Sequence, residues 1–104
     1  MDIQLKKGIL EVCVLHAIAN GESYGYKIIS DLEGIIEISE STLYPILKRL
    51  ESGGFVTTRT AEYSGRLRRY YRITELGRKK LADGRNDLQE INTIYKKIFV
   101  WNND

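Results

Sequence analysis

The sequence is poor in the residue types from which disulfides, metal sites and catalytic sites are usually built. It has a single cysteine, Cys13, a single histidine, His16, and a single proline. One cysteine cannot form an internal disulfide, and its apolar neighbours predict a small buried side chain in a reducing compartment. His16 has no companion at metal-ligand spacing, and the sequence has no Gly-rich phosphate loop. We therefore expect no catalysis, no cofactor and no metal.

Long apolar runs are also missing. The longest, residues 9–18, is interrupted by Glu11 and His16 and is too short to span a bilayer. The sequence does not open with a basic segment followed by a long apolar one, so we predict no signal peptide. These features favour a cytoplasmic protein without a membrane partner. With 104 residues, the chain is long enough for one domain with a modest core.

Positive charge is concentrated in one segment. The formal net charge is only +2, yet the segment from Arg59 to Arg72 holds five arginines and one acid, Glu62, and so carries +4. The rest of the chain therefore carries −2. A basic patch on a mildly acidic body is typical of proteins that bind polyanions, but it also occurs on solvated hairpins. Charge alone leaves both interpretations open.

Apolar periodicity predicts four helices. Asn20 and Gly21 suit the end of the first helix, while Ser23 and Thr74 suit the N-caps of the second and the last. Pro45 is tolerable in the third helix if it falls within about the first turn. The predicted helices cover residues 5–19, 23–33, 39 or 41 to 52, and 75–101.

Between the third and the last helix the sequence predicts a β-hairpin. Two segments rich in Thr, Tyr, Val and Ile flank a four-residue turn from Tyr63 to Arg66, so that Glu62 pairs with Leu67. Arg66 then lies at the tip, and Arg69 alternates inward. Because alternate residues of a strand face opposite sides, the remaining residues divide between two faces. We expect an inner face of Val56, Thr58, Tyr71 and Ile73 and an outer face of Thr57, Arg59, Ala61, Arg68, Tyr70 and Arg72.

The predicted last helix carries a heptad-like apolar seam. Apolar or small residues recur at alternating steps of three and four from Leu81 to Ile98. A helix of this length has more apolar surface than its own domain can cover, so we expect a homodimer. The predicted dimer contacts are Leu10, Leu88, Ile91, Ile94, Tyr95, Ile98 and Trp101.

Three helices, a hairpin and a final helix follow one another in the order of a winged helix-turn-helix. We therefore predict a mainly α protein with a small β-hairpin (α+β), whose third helix enters the DNA major groove while the hairpin, or wing, contacts an adjacent groove or the backbone. Residues 1–74 would form this DNA-binding domain and residues 75–104 a C-terminal dimerisation helix. The predicted DNA contacts are Tyr26, Lys27, Ser39, Ser41, Thr42, Tyr44, Lys48, Arg59, Arg66, Arg68 and Arg69.

These assignments have structural alternatives. Tyr44 is alternatively a half-buried helix tyrosine, and Lys48 a solvated charge. We expect Arg49 to pair with Glu33, Glu51 or another acid, and Arg72 to be structural. A winged helix that serves as a protein-interaction module is the alternative function, but it would carry apolar or acidic residues in place of the basic wing.

Three motifs together resemble the PadR family of bacterial transcriptional regulators. They are "YGYKIISDLE", "STLYPILKRLESGGF" and "GRLRRYYRITELGRKKL", in this order within residues 5–82. The resemblance implies a dimeric repressor of the short subfamily, in which one long helix forms the dimerisation region. It matches the family's recognition-helix motif to Leu43, Tyr44 and Pro45, and its basic wing tip to Gly65, Arg66, Arg68 and Arg69, with Leu67 where proline is frequent.

The resemblance also raises the question of a small-molecule effector. Some short members of the family bind flat aromatic drugs between tryptophans at the dimer centre. In this sequence the corresponding position is Leu88, and the one tryptophan, Trp101, lies near the chain end. Multidrug sensing is therefore not carried over. An effector of another kind would act by changing the angle between the two C-terminal helices, which sets the spacing of the recognition helices.

Overall fold

The computed structural model describes residues 1–101. Four helices and one antiparallel hairpin follow one another in the predicted order, which confirms a mainly helical winged helix-turn-helix protein. Within the described residues, no helix has both the length and the apolar character needed to cross a membrane. Residues 102–104 of the expected dimerisation segment lie outside the described part. The elements are α1 (Ile3–Ala17), α2 (Gly25–Leu32), α3 (Glu40–Ser52), β1 (Val56–Tyr63), β2 (Arg66–Ile73) and α4 (Glu75–Phe99).

One hydrophobic core lies between α1, α2, α3 and the base of the hairpin. The buried face of α3 has the predicted spacing, which directs the intervening polar residues outward. Leu10 departs from its expected role as a dimer contact. It is only 4% exposed and packs in the core of its own chain, so its side chain has no surface left for a partner. The core residues include Leu10, Val14, Leu15, Ile18, Ile28, Leu32, Leu43, Ile46, Leu47, Leu50, Val56, Tyr71 and Ile73.

The segment between α1 and α2 differs from the prediction. Tyr24, not Ser23, is the N-cap residue of α2. Ser23 is buried and pairs with Tyr71 of β2 instead. Its N–H donates to the Tyr71 carbonyl at 3.0 Å, and its carbonyl accepts from the Tyr71 N–H at 2.8 Å. Because residues on either side of a bridge point to the opposite face, Glu22 and Tyr24 lie on the outer side of the hairpin.

The hairpin has the predicted register, with Glu62 opposite Leu67. Its turn is shorter than expected, because Tyr63 and Arg66 also pair and only Ser64 and Gly65 form the loop. Their φ angles are 51° and 77°, and a type I′ turn requires positive φ at both positions. The short turn continues the pleat to the tip, so the strand register directs the side chains of the whole wing.

α3 begins at Glu40, with Ser39 as its N-cap residue. Pro45 is the sixth residue of the helix and therefore lies beyond the first turn, where we expected it to fall. Proline has no N–H to donate to the Ser41 carbonyl, so one helical hydrogen bond is lost. The helix nevertheless continues to Ser52.

The first half of α4 packs tightly on the body. Thr74 is its N-cap, as predicted, and its hydroxyl accepts a hydrogen bond from the Gly77 N–H at 3.0 Å. A Cβ at Gly77 would overlap the carbonyl oxygen of Phe55, and a Cβ at Gly84 would overlap Val12 of α1. The second half of α4 leaves the body, and the described molecule measures 62 Å along its longest axis.

Candidate nucleic-acid interface

The N-terminus of α3 presents a cluster of hydroxyl groups. Ser39, Ser41 and Thr42 are all exposed, and the Ser39 hydroxyl lies 3.1 Å from the hydroxyls of both other residues. Such short side chains can donate to or accept from base edges and phosphate oxygens. Their position at the start of the exposed α3 face is the one predicted for a recognition helix.

Tyr44 and Lys48 continue this face one and two turns further along α3. Both are exposed, while Leu43, the residue before Tyr44, is fully buried in the core. Tyr44 is not a free side chain, however, because its ring lies against the backbone of Gly25 at the start of α2. It is 47% exposed. Both the solvent-facing and the half-buried interpretation of Tyr44 therefore describe part of its environment.

The four wing arginines differ in what they contact. Arg66, beside the turn, is exposed and forms no ion pair within residues 1–101. Arg69 lies on the inner side, as predicted, and its Nη2 is 3.5 Å from Glu51 Oε2 on α3. Thr58 donates to the same carboxylate oxygen at 2.9 Å. Arg66 is thus the wing arginine most available to a phosphate.

Arg59 is held by a carboxylate that the sequence analysis missed. Its Nε donates to Glu22 Oε2 at 2.8 Å and its Nη2 to Glu22 Oε1 at 2.5 Å, a bidentate pair. The hydrogen bonds from Arg59 hold the pKa of the Glu22 carboxyl below its ordinary value, and the charges of Arg59 and Arg72 act in the same direction. Arg59 therefore does not project freely from the outer face, where we had predicted it as a DNA contact.

Arg68 is stacked between two tyrosines. Its Cζ lies 3.8 Å from the ring centroids of both Tyr24 and Tyr63, which is a close cation–π geometry on two sides. Tyr24 also meets Tyr70 edge to face, with ring centroids 5.7 Å apart. This stack joins the wing to the start of α2. Arg68 lies on the outer face, as predicted, and is half-buried as a result of this stacking.

The start of α2 contributes one exposed aromatic and one paired lysine. Tyr26 is 74% exposed. Lys27 donates to Asp31 at 2.8 Å, one helical turn further on, and this hydrogen bond raises the pKa of the Lys27 ammonium group. Of the two predicted contacts, Tyr26 has the freer side chain.

These elements meet around one open groove of about 490 Å³. The groove brings together α2, α3 and the wing, but Ser39, Ser41, Thr42 and Lys48 lie outside it. Arg59 is also absent from its walls. The residues that line it are Tyr24, Gly25, Tyr26, Tyr44, Tyr63, Ser64, Arg66, Leu67, Arg68 and Arg69.

The second half of α4 carries an exposed apolar face. Trp101 is 64% exposed, and the rings of Tyr95 and Phe99 meet with their centroids 5.5 Å apart. Leu88 is half-buried near the point where α4 leaves α1. Five of the seven expected dimer residues thus lie in the part of α4, or just after it, that its own chain does not cover; the exceptions are the buried Leu10 and the half-buried Leu88. The large exposed side chains there are Ile91, Ile94, Tyr95, Ile98, Phe99, Val100 and Trp101.

A second cleft lies between α1 and α4, with a volume of about 730 Å³. Apolar side chains, including Val12 and Leu81, form much of its wall, and Arg78 and Arg85 stand at its edge. Cys13 also lines the cleft and is half-buried, not buried as predicted. Its partial burial raises the pKa of the thiol. The cleft offers both apolar surface and positive charge to a small molecule.

Comparison with known proteins identifies the family. The model of the Transcriptional regulator PadR-like family matches residues 14–83. The transcriptional regulator Rv3488 of Mycobacterium tuberculosis is 33% identical over 89 residues, which are 85% of this chain and 83% of that protein. The negative transcriptional regulator PadR of Bacillus subtilis is 32% identical over 97 residues, and the match covers 88% of this chain but only 53% of the longer protein.

Solved structures agree with these relatives. A transcriptional regulator from Clostridium thermocellum superposes with a TM-score of 0.84 at 27% identity, and the match covers 92% of this chain and 98% of that one. Bacillus subtilis PadR, solved in complex with operator DNA, superposes with a TM-score of 0.67 at 30% identity over 72% of this chain and 45% of that one. The relatives are transcriptional regulators and not enzymes. This chain belongs to the PadR-like family of transcriptional regulators.

Proposed function

We propose that this protein is a cytoplasmic DNA-binding repressor that binds a pseudo-palindromic operator as a homodimer. The observation that carries the proposal is the groove in which Tyr44 of α3, the start of α2 and the arginine-bearing wing tip meet. A recognition helix in the major groove and a wing on the neighbouring backbone need this arrangement. The structure of the Bacillus subtilis relative in complex with operator DNA supports the binding of DNA.

In this proposal the contacts divide by chemistry. The hydroxyls of Ser39, Ser41 and Thr42 and the ring of Tyr44 face base edges, where hydrogen bonds and apolar contacts carry sequence information. Lys48, Arg66, Arg68 and Arg69 contact phosphates, which fix the position of the protein but carry no sequence information, while Glu22 holds Arg59 back from such a contact. Arg66 is the most available of the wing arginines for such a contact, because it is exposed and has neither a carboxylate partner nor a stacked ring within the described residues.

The salt dependence of binding tests the wing. Labelled DNA from upstream of the protein's own gene is titrated with the wild type and with the double variant Arg66→Ala/Arg68→Ala at several salt concentrations. Each lost phosphate contact makes the negative slope of log K against log salt shallower by ~0.9. The loss of two arginines from each of two protomers therefore makes that slope shallower by up to ~3.6. Lys79→Ala/Lys97→Ala is the matched control, because it removes two exposed positive charges of α4 that line neither the groove nor the cleft. An unchanged slope in the double variant contradicts the wing assignment, and no binding at low salt favours a protein-interaction module.

The second half of α4 forms the homodimer in this proposal, and residues 75–104 constitute the dimerisation helix. Exposed apolar side chains are concentrated there, at a distance from the groove. A symmetric contact between two such helices places two recognition helices about one turn of DNA, ~34 Å, apart or a multiple of it. Sedimentation or light scattering at micromolar protein tests this, and a stable monomer contradicts it.

The effector site in this proposal is the cleft between α1 and α4. Its apolar wall and its two arginines suit an apolar compound that carries an anionic group. Because α4 joins the two protomers, a ligand wedged beside it changes the spacing of the recognition helices and releases the operator. A panel of aromatic carboxylates is tested for thermal stabilisation and for release of DNA. Arg85→Ala should abolish both effects, and retention of either by that variant excludes this cleft.

A further inference from the structure

Gly25, the middle residue of the Tyr-Gly-Tyr motif, lies directly beneath Tyr44 of α3. A Cβ built at Gly25 would overlap the hydroxyl oxygen of Tyr44 and would lie 3.0 Å from its Cζ and 3.2 Å from its Cε1. Carbon atoms that are not bonded to each other normally stay ~3.5–4.0 Å apart. The Tyr44 ring can therefore occupy its place only because position 25 has no side chain.

The backbone itself does not require glycine at this position. Gly25 is the first residue of α2, and it is not among the residues with positive φ. An alanine there would fit the helical conformation and would have the higher helix propensity. Gly34, Gly54 and Gly65, in contrast, all have positive φ. At position 25, the three heavy atoms nearest to a Cβ all belong to the Tyr44 side chain, so the approach of Tyr44 is what opposes a Cβ there.

We propose that Gly25 is a positioning residue that sets the direction in which Tyr44 projects from α3, an inference that rests on the proposed binding of DNA. One side of the Tyr44 ring lies against the α2 backbone, while the residue as a whole is 47% exposed and lines the groove. A methyl group at position 25 displaces the ring from this orientation or separates α2 from α3. Either change moves the aromatic group away from the base edge that it contacts.

The test is a double-mutant cycle on operator affinity, with the single variants Gly25→Ala and Tyr44→Ala and the double variant. We expect Gly25→Ala to weaken operator binding about tenfold or more when Tyr44 is present and to have no further effect in the Tyr44→Ala background. The salt slope stays unchanged, because Tyr44 carries no charge. The additional change Tyr44→Phe removes the nearest contact atom and should restore part of the affinity of Gly25→Ala.

Melting temperatures of the same variants, measured without DNA, test the contact between Gly25 and Tyr44 independently of operator binding. Gly25→Ala should lower the melting temperature when Tyr44 is present and should not lower it in the Tyr44→Ala background. Gly8→Ala is the matched control, because Gly8 is a helical glycine with open space around it. Independent, additive effects of the two substitutions on affinity and on melting temperature would overturn the inference. A wild type that binds no DNA refutes the proposed function. In that case the double-mutant cycle on melting temperature still tests the contact between Gly25 and Tyr44.

Discussion

Replacing Glu22 with glutamine should strengthen DNA binding, although Glu22 itself contacts no DNA in our proposal. In the free protein its carboxylate holds Arg59 through two hydrogen bonds of 2.8 and 2.5 Å. A phosphate that approaches this side of the wing must compete with that carboxylate, and it also meets the negative charge of Glu22. Glutamine removes the charge and leaves Arg59 able to neutralise a phosphate.

The size of the effect follows from counterion release. One additional phosphate contact steepens the slope of log K against log salt by ~0.9, and two wings in a homodimer steepen it by ~1.8. Between 50 and 200 mM salt, a slope difference of ~1.8 changes the affinity ratio of variant to wild type by about twelvefold. The variant therefore binds more tightly at low salt, and its advantage shrinks as salt rises.

Fluorescence anisotropy with a labelled operator measures this ratio at four or five salt concentrations. Glu90→Gln is the matched control, since it removes the same charge from the exposed surface of α4. Arg59→Ala should bring the slope of Glu22→Gln back to that of the wild type. An unchanged slope and affinity in Glu22→Gln would show that Arg59 does not contact phosphate. An equal gain in affinity in Glu90→Gln would show that the effect comes from the change in net charge alone.

Three further predictions concern stability and assembly. Because Arg59 lowers the pKa of Glu22, their pairing stabilises the fold fully above the ordinary glutamate pKa and loses that effect as pH falls through the lowered value. In pH-dependent melting, the stability deficit of Glu22→Gln should therefore shrink as pH falls below the ordinary pKa of ~4.3 and vanish only below the lowered value. Ile94→Glu should convert the homodimer to monomers in sedimentation, whereas Asn92→Glu, away from the apolar seam, should not. Gly77→Ala should lower the free energy of urea unfolding by about 2 kcal/mol or more, because the new Cβ would overlap the backbone carbonyl oxygen of Phe55. Gly8→Ala, which has open space around it, should raise that free energy by up to ~1 kcal/mol.

The fold was predictable because each element has its own local signal. Apolar spacing located the four helices, and Thr74 marked the start of α4. Alternation located both strands, and their register followed from the loop. The errors were at boundaries. Ser23 has the side chain of a good N-cap, but pairing with Tyr71 of β2 satisfies its backbone groups, so the helix begins two residues later. A contact between residues so far apart in sequence leaves no periodic signal.

The candidate site was predictable only in part. Five predicted DNA contacts line one groove and six lie outside it, the five being Tyr26, Tyr44, Arg66, Arg68 and Arg69 and the six being Lys27, Ser39, Ser41, Thr42, Lys48 and Arg59. The pairing of Arg59 with Glu22 was not predicted, because it depends on the Ser23 bridge that sets Glu22 beside the outer face. That bridge joins residues far apart in sequence, so no local pattern could have indicated the pair.

The wing arginines differ in what holds them. Arg59 is paired with Glu22, and the Tyr24 and Tyr63 rings hold Arg68 on two sides. Beside the turn, Arg66 has no ion pair within the described residues. Its guanidinium group is therefore free to meet a polyanion, close in sequence to an Arg68 that the two rings keep in place. A wing that only solvated its charges would gain nothing from this stacking, whereas one that must place its tip on a phosphate gains a held Arg68 and an unpaired Arg66.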